Sequence, residues 1–451
     1  MKKTILLLAI ATFLVSNVFT QTTIPGGNVS GTWALAGSPY NVQGSIQIPN
    51  DSTLTIEPGV TVNFQGTYKL LILGRLLAIG TTTDTITFTA ADTTNGWRGI
   101  RFDNTPATND TSKIKYCKLQ YGKATGTWPD DAGGAFYFNH FSKAIISNCR
   151  ITKCKANYTG GGIYCSASNP IIRNNTITNN TTSTFNSGAG GGGIYCNVSN
   201  PTITNNNISN NTASGSSNGG GGINCGNGSS PTITNNIISN NTASGFAGGG
   251  GGIYCSGGSA TISNNIISNN TALSTTYGGG GIYCLNTSSP TITNNTISNN
   301  SAINGGALYC TSNSDPTLRN TILWGNTAST SGQQVYLNDE NSDPNFYYCD
   351  VQGGSAAFEL NFNIYTGIYQ NNININPLFV APSAGSGTGY NGITADWSLQ
   401  SASPCIDAGD PAGTYPATDI AGNPRISACR IDMGAYEYQT GISALVATIT
   451  S

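Results

Sequence analysis

Residues Pro231–Ala243 read PTITNNIISNNTA, and this stretch decides the fold because the chain repeats it. Close copies are Pro201–Ala213, Ala260–Ala272 and Pro290–Ala302, and Pro170–Thr182 is a looser copy. Before each copy stands a run of glycines followed by Ile-Tyr-Cys or a close variant. Self-similarity at a fixed period of this length is typical of solenoids, in which each copy packs only against its neighbours.

Each copy predicts three short β-strands, for example Ile194–Cys196, Thr202–Thr204 and a third beginning near Ile208. Apolar and polar residues alternate within them, as a strand with one buried face requires. Strands this short cannot form an independent sheet, but each can pair in parallel with its equivalent in the next copy. We therefore expect an all-β protein, a parallel β-helix with three strands per coil and a small C-terminal capping domain.

In-register stacking of the copies predicts ladders of identical side chains along the solenoid axis. The isoleucines of the second strand should form a buried ladder: Ile203, Ile233, Ile262 and Ile292. The asparagines of the following bend should form another: Asn206, Asn236, Asn265 and Asn295. Asn tolerates left-handed backbone, and stacked amides can bond one another. The cysteines of the first strand should form a third ladder: Cys165, Cys196, Cys225, Cys255, Cys284 and Cys310.

Most of the twelve cysteines are predicted to be buried thiols rather than disulfides. Parallel strands hold equivalent side chains ~4.8 Å apart with parallel Cβ vectors, whereas a disulfide needs Cβ atoms ~3.8 Å apart. Cys117 with Cys149, and Cys405 with Cys429, are the candidates for disulfide bonds. The single histidine and the absence of a C-x-x-C pair argue against a zinc site, and we expect no cofactor.

The chain begins MKKTILLLAIATFLVSNVFTQ, which is typical of a secretory signal peptide (residues 1–21). No later apolar stretch is long enough to span a membrane, so we expect a protein that is secreted or held at the bacterial cell surface. The remainder divides into an N-terminal cap with the first coils (22–125), regular repeats (126–355), a C-terminal segment (356–440) and a short tail (441–451).

Charge is scarce along the chain, at 8% of residues with a net charge of −2, which favours neither nucleic acid nor an anionic membrane as partner. From Asn174 to Ser314 there is no Asp, Glu, Lys, Arg or His, so this wall cannot support general acid–base catalysis. Asp130 and Asp131, near basic residues, come closest to a catalytic cluster, but a solvated loop is the preferred interpretation. We therefore lean towards a protein that is not an enzyme.

Two sets of outward positions are candidate ligand-binding residues. One tyrosine in most first strands alternates with buried residues, and such a row can stack on sugar rings, contact a protein, or simply stack on itself. These tyrosines are Tyr164, Tyr195, Tyr254, Tyr283 and Tyr309. Lys118 and Arg150 should stack on adjacent coils, either as a basic stripe for an acidic glycan or, more simply, to keep the surface soluble.

Three motifs near the C-terminus carry a family resemblance: SPCIDAGD (Ser403–Asp410), DIAGNPR (Asp419–Arg425) and DMGAYEY (Asp432–Tyr438). Together they resemble bacterial right-handed parallel β-helix proteins with a choice-of-anchor Q domain, and the repeats are similar to those of polymorphic outer-membrane adhesins. The resemblance implies right-handed coils and an exported, often surface-associated protein with no settled biochemical activity.

Four aspartates of this C-terminal segment, Asp407, Asp410, Asp419 and Asp432, are expected to cap turns and pair with Arg425 while closing the open end of the solenoid. Binding of Ca²⁺ by these carboxylates is the alternative.

Two functions remain open from the sequence. The first is a non-enzymatic β-helix scaffold with an adhesion or interaction role, and the second is a polysaccharide-binding or polysaccharide-degrading β-helix. The expected partner is an extracellular glycan or a host or cell-surface protein, and the expected state is a monomer.

Overall fold

The computed structural model describes residues 21–183, 190–215, 219–245, 248–274, 277–413, 415–427 and 429–439. The predicted signal peptide (1–21), apart from Gln21, and the predicted tail (441–451) lie outside the described residues. Among the described residues, no helix has the length and apolar character needed to span a membrane.

The chain winds into coils whose strands pair in parallel with the same strands of the next coil, in three long sheets. Sheet B receives the first strand of each coil: Gly27–Asn28, Ile46–Ile48, Leu70–Ile72, Ile100–Asp103, Phe136–Asn139, Ile163–Ser166, Ile194–Asn197, Ile223–Gly226, Ile253–Ser256, Ile282–Leu285, Leu308–Cys310 and Val335–Leu337. Sheet C receives the second: Gly31–Trp33, Thr53–Ile56, Arg75–Ile79, Ser112–Lys115, Ala144–Ser147, Ile171–Arg173, Thr202–Thr204, Thr232–Thr234, Thr261–Ser263, Thr291–Thr293, Thr317–Arg319, Asn345–Tyr347 and Tyr369–Gln370. Sheet A receives the third: Thr22–Ile24, Tyr40–Val42, Thr61–Phe64, Ile86–Ala90, Cys117–Gln120, Arg150–Thr152, Thr176–Thr178, Asn207–Ser209, Ile237–Ser239, Ile266–Ser268, Thr296–Ser298, Ile322–Trp324 and Asp350–Val351.

A fourth short strand follows sheet A in many coils, in addition to the three that the sequence predicts. Sheet D collects these strands: Lys123–Ala124, Lys155–Ala156, Thr181–Ser183, Thr212–Ser214, Thr242–Ala243, Thr271–Ala272, Ser301–Asn304 and Thr327–Ser331. Sheet E is formed by the glycine runs Gly219–Gly220, Gly249–Gly250 and Gly278–Gly279. An antiparallel pair, Phe379–Ala381 and Asp396–Leu399, and two 3-10 turns, Leu35–Gly37 and Ser355–Ala357, complete the elements.

The predicted isoleucine ladder is confirmed. Ile203 pairs with Ile233, which pairs with Ile262, which pairs with Ile292, and all four side chains are fully buried. The alternation seen in the sequence therefore corresponds to an inner apolar face and an outer polar face of each strand. One continuous core runs along the solenoid from Trp33 to the last coil.

The asparagine ladder is also confirmed, and it satisfies the buried backbone at the bend between sheets C and A. The side-chain oxygen of Asn236 accepts from both the backbone N–H (2.9 Å) and the side-chain amide (3.0 Å) of Asn206. Asn236 and Asn265 repeat the same pair of bonds, as do Asn265 and Asn295. Each asparagine is thus locked to its equivalent in the next coil, and this fixes the register.

The C-terminal segment divides into two parts. Residues 356–375 extend the last coil, where Phe358 is buried in the core and Tyr369 pairs with Phe346 of sheet C, so this part covers the end of the solenoid as predicted. The part that carries the three motifs does not close that end, so for it the prediction is wrong.

Residues 376–439, here called the C-terminal lobe, lie along the outer face of sheet A. Phe379, Trp397 and Met433 pack on Ile266 and Ile322, two apolar side chains that sheet A points outward. Since an outward isoleucine needs a cover, the lobe buries a side wall rather than an end.

The contact between the lobe and the wall is also polar. The side-chain amides of Asn264, Asn269 and Asn299 donate to lobe carbonyl oxygens at 2.8–3.0 Å. The lobe reaches as far as Asn240, which donates to the carbonyl of Tyr390. It therefore covers the later coils and leaves the outer face of sheet A open in the earlier ones.

Candidate functional site: a basic band on the early coils

Half of the 18 lysines and arginines of the chain fall between Ser112 and Arg173, together with only two acidic residues, Asp130 and Asp131. The basic residues of this segment, here called the basic band, are Lys113, Lys115, Lys118, Lys123, Lys143, Arg150, Lys153, Lys155 and Arg173. A chain with a net charge of −2 thus concentrates positive charge on two or three neighbouring coils.

Register places several of these cations side by side. Lys118 pairs with Arg150 in sheet A, and Lys123 pairs with Lys155 in sheet D, as the sequence predicts. Equivalent side chains on neighbouring parallel strands lie ~4.8 Å apart. Like charges at that spacing repel each other by about 1 kcal/mol in water. An anionic ligand would relieve this repulsion.

Most of the band finds no acidic partner. The ion pairs among the described residues use Lys69, Arg75, Arg98 and Arg319, none of which belongs to the band. Two band lysines instead donate to backbone carbonyls, and two others lie over tyrosine rings. The pairs are Lys123 with Thr94 O (2.6 Å), Lys143 with Ala107 O (2.6 Å), Lys115 over Tyr116 (5.1 Å) and Lys153 over Tyr121 (5.6 Å).

Lys118 and Arg150 line a shallow cleft of about 330 Å³ on the part of sheet A that the C-terminal lobe leaves open. Its other polar walls include Asn148, Asn174 and Thr176. Lys and Arg side chains donate charge-assisted hydrogen bonds to carboxylate and sulfate oxygens, and neighbouring amide and hydroxyl groups can donate to the same oxygens. The cleft is therefore suited to an anionic, hydroxyl-rich ligand.

The tyrosines point away from the core, as predicted, but they are buried, so they stack on one another and do not form an accessible ligand-binding row. Exposure is only 1–6% for Tyr164, Tyr195, Tyr254, Tyr283 and Tyr309. Backbone of the preceding glycine-rich loop lies over these rings, since a Cβ on Gly191 would stand 2.7 Å from the Cβ of Tyr195. The tyrosines instead stack on one another under the loops, with Tyr164 and Tyr195 at 5.6 Å between ring centroids.

Comparison with known proteins identifies the architecture. Residues 98–280 and 244–396 match the family described as "Right handed beta helix region". The chain belongs to this family. The predicted right-handed β-helix is thereby confirmed. No curated protein is significantly similar to the chain in sequence.

One solved structure similar to this β-helix is that of pectate lyase Pel9A, at 14% identity and a TM-score of 0.32. The match covers 94% of this chain and 98% of the lyase chain.

Asp130 and Asp131 are predicted to lie in a solvated loop of the early coils, but only part of each residue is exposed. Asp130 binds Lys69 at 3.0 Å and Arg98 at 3.2 Å. Burial alone would raise the pKa of Asp130, but Lys69, together with Arg101 and Arg98, lowers it. Asp131 forms no such ion pair, and burial raises its pKa. The two carboxyl groups therefore have different environments, which sequence position alone did not indicate.

The cysteine ladder of the β-helix forms as predicted. Cys165, Cys196 and Cys225 pair in register and are fully buried, and the same holds from Cys255 to Cys310. Burial raises the pKa of Cys196 to about 12, so its thiol stays protonated and unreactive at neutral pH.

Neither predicted disulfide pair is bonded in the structure. Cys117 and Cys149 lie on adjacent coils of the bend, where each thiol donates to backbone carbonyls instead. Cys405 is buried and donates to Asp350 at 3.3 Å, whereas Cys429 is exposed. The thiol of Cys405 therefore already has a partner in the lobe interface.

The four lobe aspartates accept hydrogen bonds from backbone N–H groups or pair with an arginine, and they do not converge on one point as the ligands of a Ca²⁺ ion would. Asp419 accepts from three backbone N–H groups, and Asp432 accepts from those of Asp407 and Tyr438. Asp410 forms an ion pair with Arg319 of the solenoid. Among the described residues, no group of three or more His, Cys, Asp or Glu side chains is placed to hold a metal ion.

The turn-capping prediction is confirmed for Asp419, which accepts from the N–H groups of Ala421 and Asn423, and for Asp410, which accepts from that of Ala412. Asp432 instead joins segments that are distant in sequence.

Arg425 does not form the predicted ion pairs with the lobe aspartates. It is buried, and its guanidinium donates to the carbonyl oxygens of Asp432 and Gly434. None of the ion pairs among the described residues includes it. It therefore stabilises the lobe through backbone contacts.

Docking of the lobe is expected to be more stable at pH 5 than at pH 8. Burial raises the pKa of Asp350 to about 7, and burial likewise raises that of Glu437 to about 7. An acid whose pKa is raised on folding stabilises the protein fully below its ordinary pKa, near 4, and this contribution is lost as the pH rises through 7. Urea unfolding should show a decrease of about 2 kcal/mol in the free energy of unfolding between pH 5 and pH 8.

The matched variant is Asp350→Asn, which keeps the side-chain shape but cannot ionise. It should unfold with a weaker pH dependence than the parent and be the more stable of the two at pH 8. A pH dependence unchanged by this substitution would contradict the assignment to Asp350.

Proposed function

We propose that this β-helix is a non-enzymatic, exported interaction scaffold that binds an acidic polysaccharide on its basic band. The observation that carries the proposal is the in-register pair of Lys118 and Arg150, without acidic partners, in an open cleft. An extended polyanion can run along such a surface and contact several cations in succession.

The surroundings of the band support a polymer rather than a small anion. The cations extend from sheet C, at Lys115 and Arg173, across sheet A to Lys155 in sheet D. A single phosphate or sulfate could contact only one pair of them at a time. A chain of uronate or sulfated sugars carries charges at regular intervals and can engage the whole width of the band.

Binding is favoured over catalysis because few acid–base groups lie near the band. Asp130 is held by Lys69 and Arg98, and no Asp, Glu, Lys, Arg or His follows from Asn174 to Ser314. Attachment to the cell surface and an adhesin-like role belong to this proposal. They rest on the C-terminal motifs and on the N-terminal sequence, which is typical of a signal peptide.

Removing the stacked cations is expected to weaken binding of an acidic glycan at least tenfold. The double variant Lys118→Ala/Arg150→Ala should raise the dissociation constant for polygalacturonate, alginate or chondroitin sulfate, measured by calorimetry at low salt. It should also reduce the salt dependence of binding, because fewer charge contacts form. Arg75→Ala is the matched control, since it removes one cation that already pairs with Asp110.

Three outcomes decide the question. Tight binding lost only in the double variant supports the proposal, and no binding of any polyanion by the parent protein overturns it. Release of unsaturated uronate from these polymers, lost on Asp131→Ala, would show the polysaccharide-degrading alternative to be correct instead.

A further inference from the structure

The loop between sheet D and sheet B in the early coils presents an aromatic side chain to solvent. Trp128 is 54% exposed, whereas Trp33, Trp97 and Trp397 are buried. Its ring meets Tyr158 at 5.7 Å with an interplanar angle of 82°, and it meets Tyr164 at 5.9 Å. Trp128 is therefore the exposed member of a contiguous group of three aromatic rings, and contiguous apolar surface of this kind can mark a binding site.

Side chains of earlier coils fix the loop that carries Trp128. Arg101 is buried and donates to the carbonyl oxygens of Ala132 (2.5 Å) and Pro129 (3.4 Å). Asp130, within the same loop, is anchored by its ion pairs with Lys69 and Arg98. The position of the indole is therefore set by groups on three coils, so binding there would require little ordering.

Trp128, Asp131 and Tyr158 line a cleft of about 270 Å³. The carboxyl oxygen Oδ1 of Asp131 is buried and has no hydrogen-bond partner. Since Oδ1 itself faces protein, a ligand hydroxyl would reach the Asp131 carboxyl group from the side that lines the cleft, where the residue is half-buried. The cleft thus combines two aromatic rings with a carboxyl acceptor.

We propose that this cleft binds one ring of an uncharged pyranose sugar, which stacks on Trp128 and donates a hydroxyl hydrogen bond to Asp131. A pyranose has an apolar face of C–H groups and a rim of hydroxyl donors, which matches the aromatic ring and the carboxyl group. The carboxyl group disfavours uronates and sulfated sugars here, since like charges repel. The site is separate from the proposed acidic-polymer site at Lys118 and Arg150.

The test uses quenching of tryptophan fluorescence by acrylamide, with neutral hexasaccharides of the cello-, manno-, xylo- and galacto-series as probes. Because Trp128 is the exposed tryptophan among those described, a bound sugar should reduce the quenching slope at least twofold. The affinity for that sugar should fall at least tenfold in Trp128→Ala and in Asp131→Asn. Phe362→Ala is the matched control, since it removes another exposed aromatic ring on a distant coil.

The two binding proposals can fail independently. Lys118→Ala/Arg150→Ala should leave neutral-sugar binding unchanged, and Trp128→Ala should leave binding of the acidic polymer unchanged. Absence of protection by every neutral sugar overturns the inference, as does equal loss of affinity in Phe362→Ala. Protection by a proline-rich peptide but by no sugar also overturns it, because the site would then be a peptide site.

Discussion

Replacing Asn236 with alanine is expected to lower the free energy of unfolding by about 4 kcal/mol. The side chain is fully buried, and its amide donates to Ile203 O, Thr234 O and Asn265 Oδ1 at 2.9–3.0 Å. Its oxygen accepts two bonds from Asn206. Truncation would remove these five buried hydrogen bonds, at about 1 kcal/mol each, and would leave the backbone N–H of Asn206 without its acceptor. Urea unfolding followed by circular dichroism measures the difference.

Asn200→Ala is the control for this prediction. Asn200 is exposed, and its side chain makes one comparable contact, accepting from the backbone N–H of Ser230. Its loss should cost less than about 1 kcal/mol, as is usual for surface positions. Equal destabilisation by Asn200→Ala and Asn236→Ala would contradict the assignment of register and stability to the buried ladder.

Replacing Gly250 with alanine is expected to destabilise the solenoid by about 3 kcal/mol. A Cβ at this position would lie 1.9 Å from the carbonyl oxygen of Ile253, which is far inside van der Waals contact. Ile253 is a fully buried strand residue, so the strand cannot move away without disturbing the core. Overpacking of this kind usually costs ~1–3 kcal/mol, and the obstacle here is backbone rather than a flexible side chain. Thermal and urea unfolding should both shift.

The control for the glycine prediction is Gly389→Ala in the C-terminal lobe. A Cβ at Gly389 would meet no atom within 4 Å, so this substitution should change stability by less than about 1 kcal/mol. Should Gly250→Ala prove as stable as the parent, the glycine runs would not be required for close backbone packing. They would then need another explanation, such as the history of the repeat.

The repeated part of the fold is predictable from the sequence because each side chain packs on its own equivalent. Once Ile203 and Ile233 occupy the same place in successive copies, strand identity, direction and register follow. The asparagine and cysteine ladders follow for the same reason. No long-range pairing between unlike segments has to be guessed in this region.

Predictions failed where unlike segments meet. Tyr195 alternates with buried residues and so points outward, but periodicity does not reveal that a glycine-rich loop folds over it. The lobe on sheet A was missed as well, although a signal exists in the sequence. Ile237 and Ile266 each precede the inward isoleucine of their strand, so two adjacent isoleucines occupy one inward and one outward position. An outward isoleucine indicates a covered face.

The candidate site was only partly predictable. The stacking of Lys118 on Arg150 follows from register alone, and it was found. The cleft at Trp128 depends on how a non-repeating loop folds over earlier coils, and on where that loop places Asp131. Neither feature has a periodic signature, so both required the three-dimensional structure.

One part of the uncharged wall, between Arg173 and Asn240, separates the basic band from the C-terminal lobe. Each whole coil adds ~4.8 Å to the rod and presents the same upper and lower surface to its neighbours. Duplication or loss of a coil there would change the distance between the basic band and the C-terminal lobe in fixed steps. The structure of the band and that of the lobe would stay the same. The span of the molecule can thus be tuned by copy number alone.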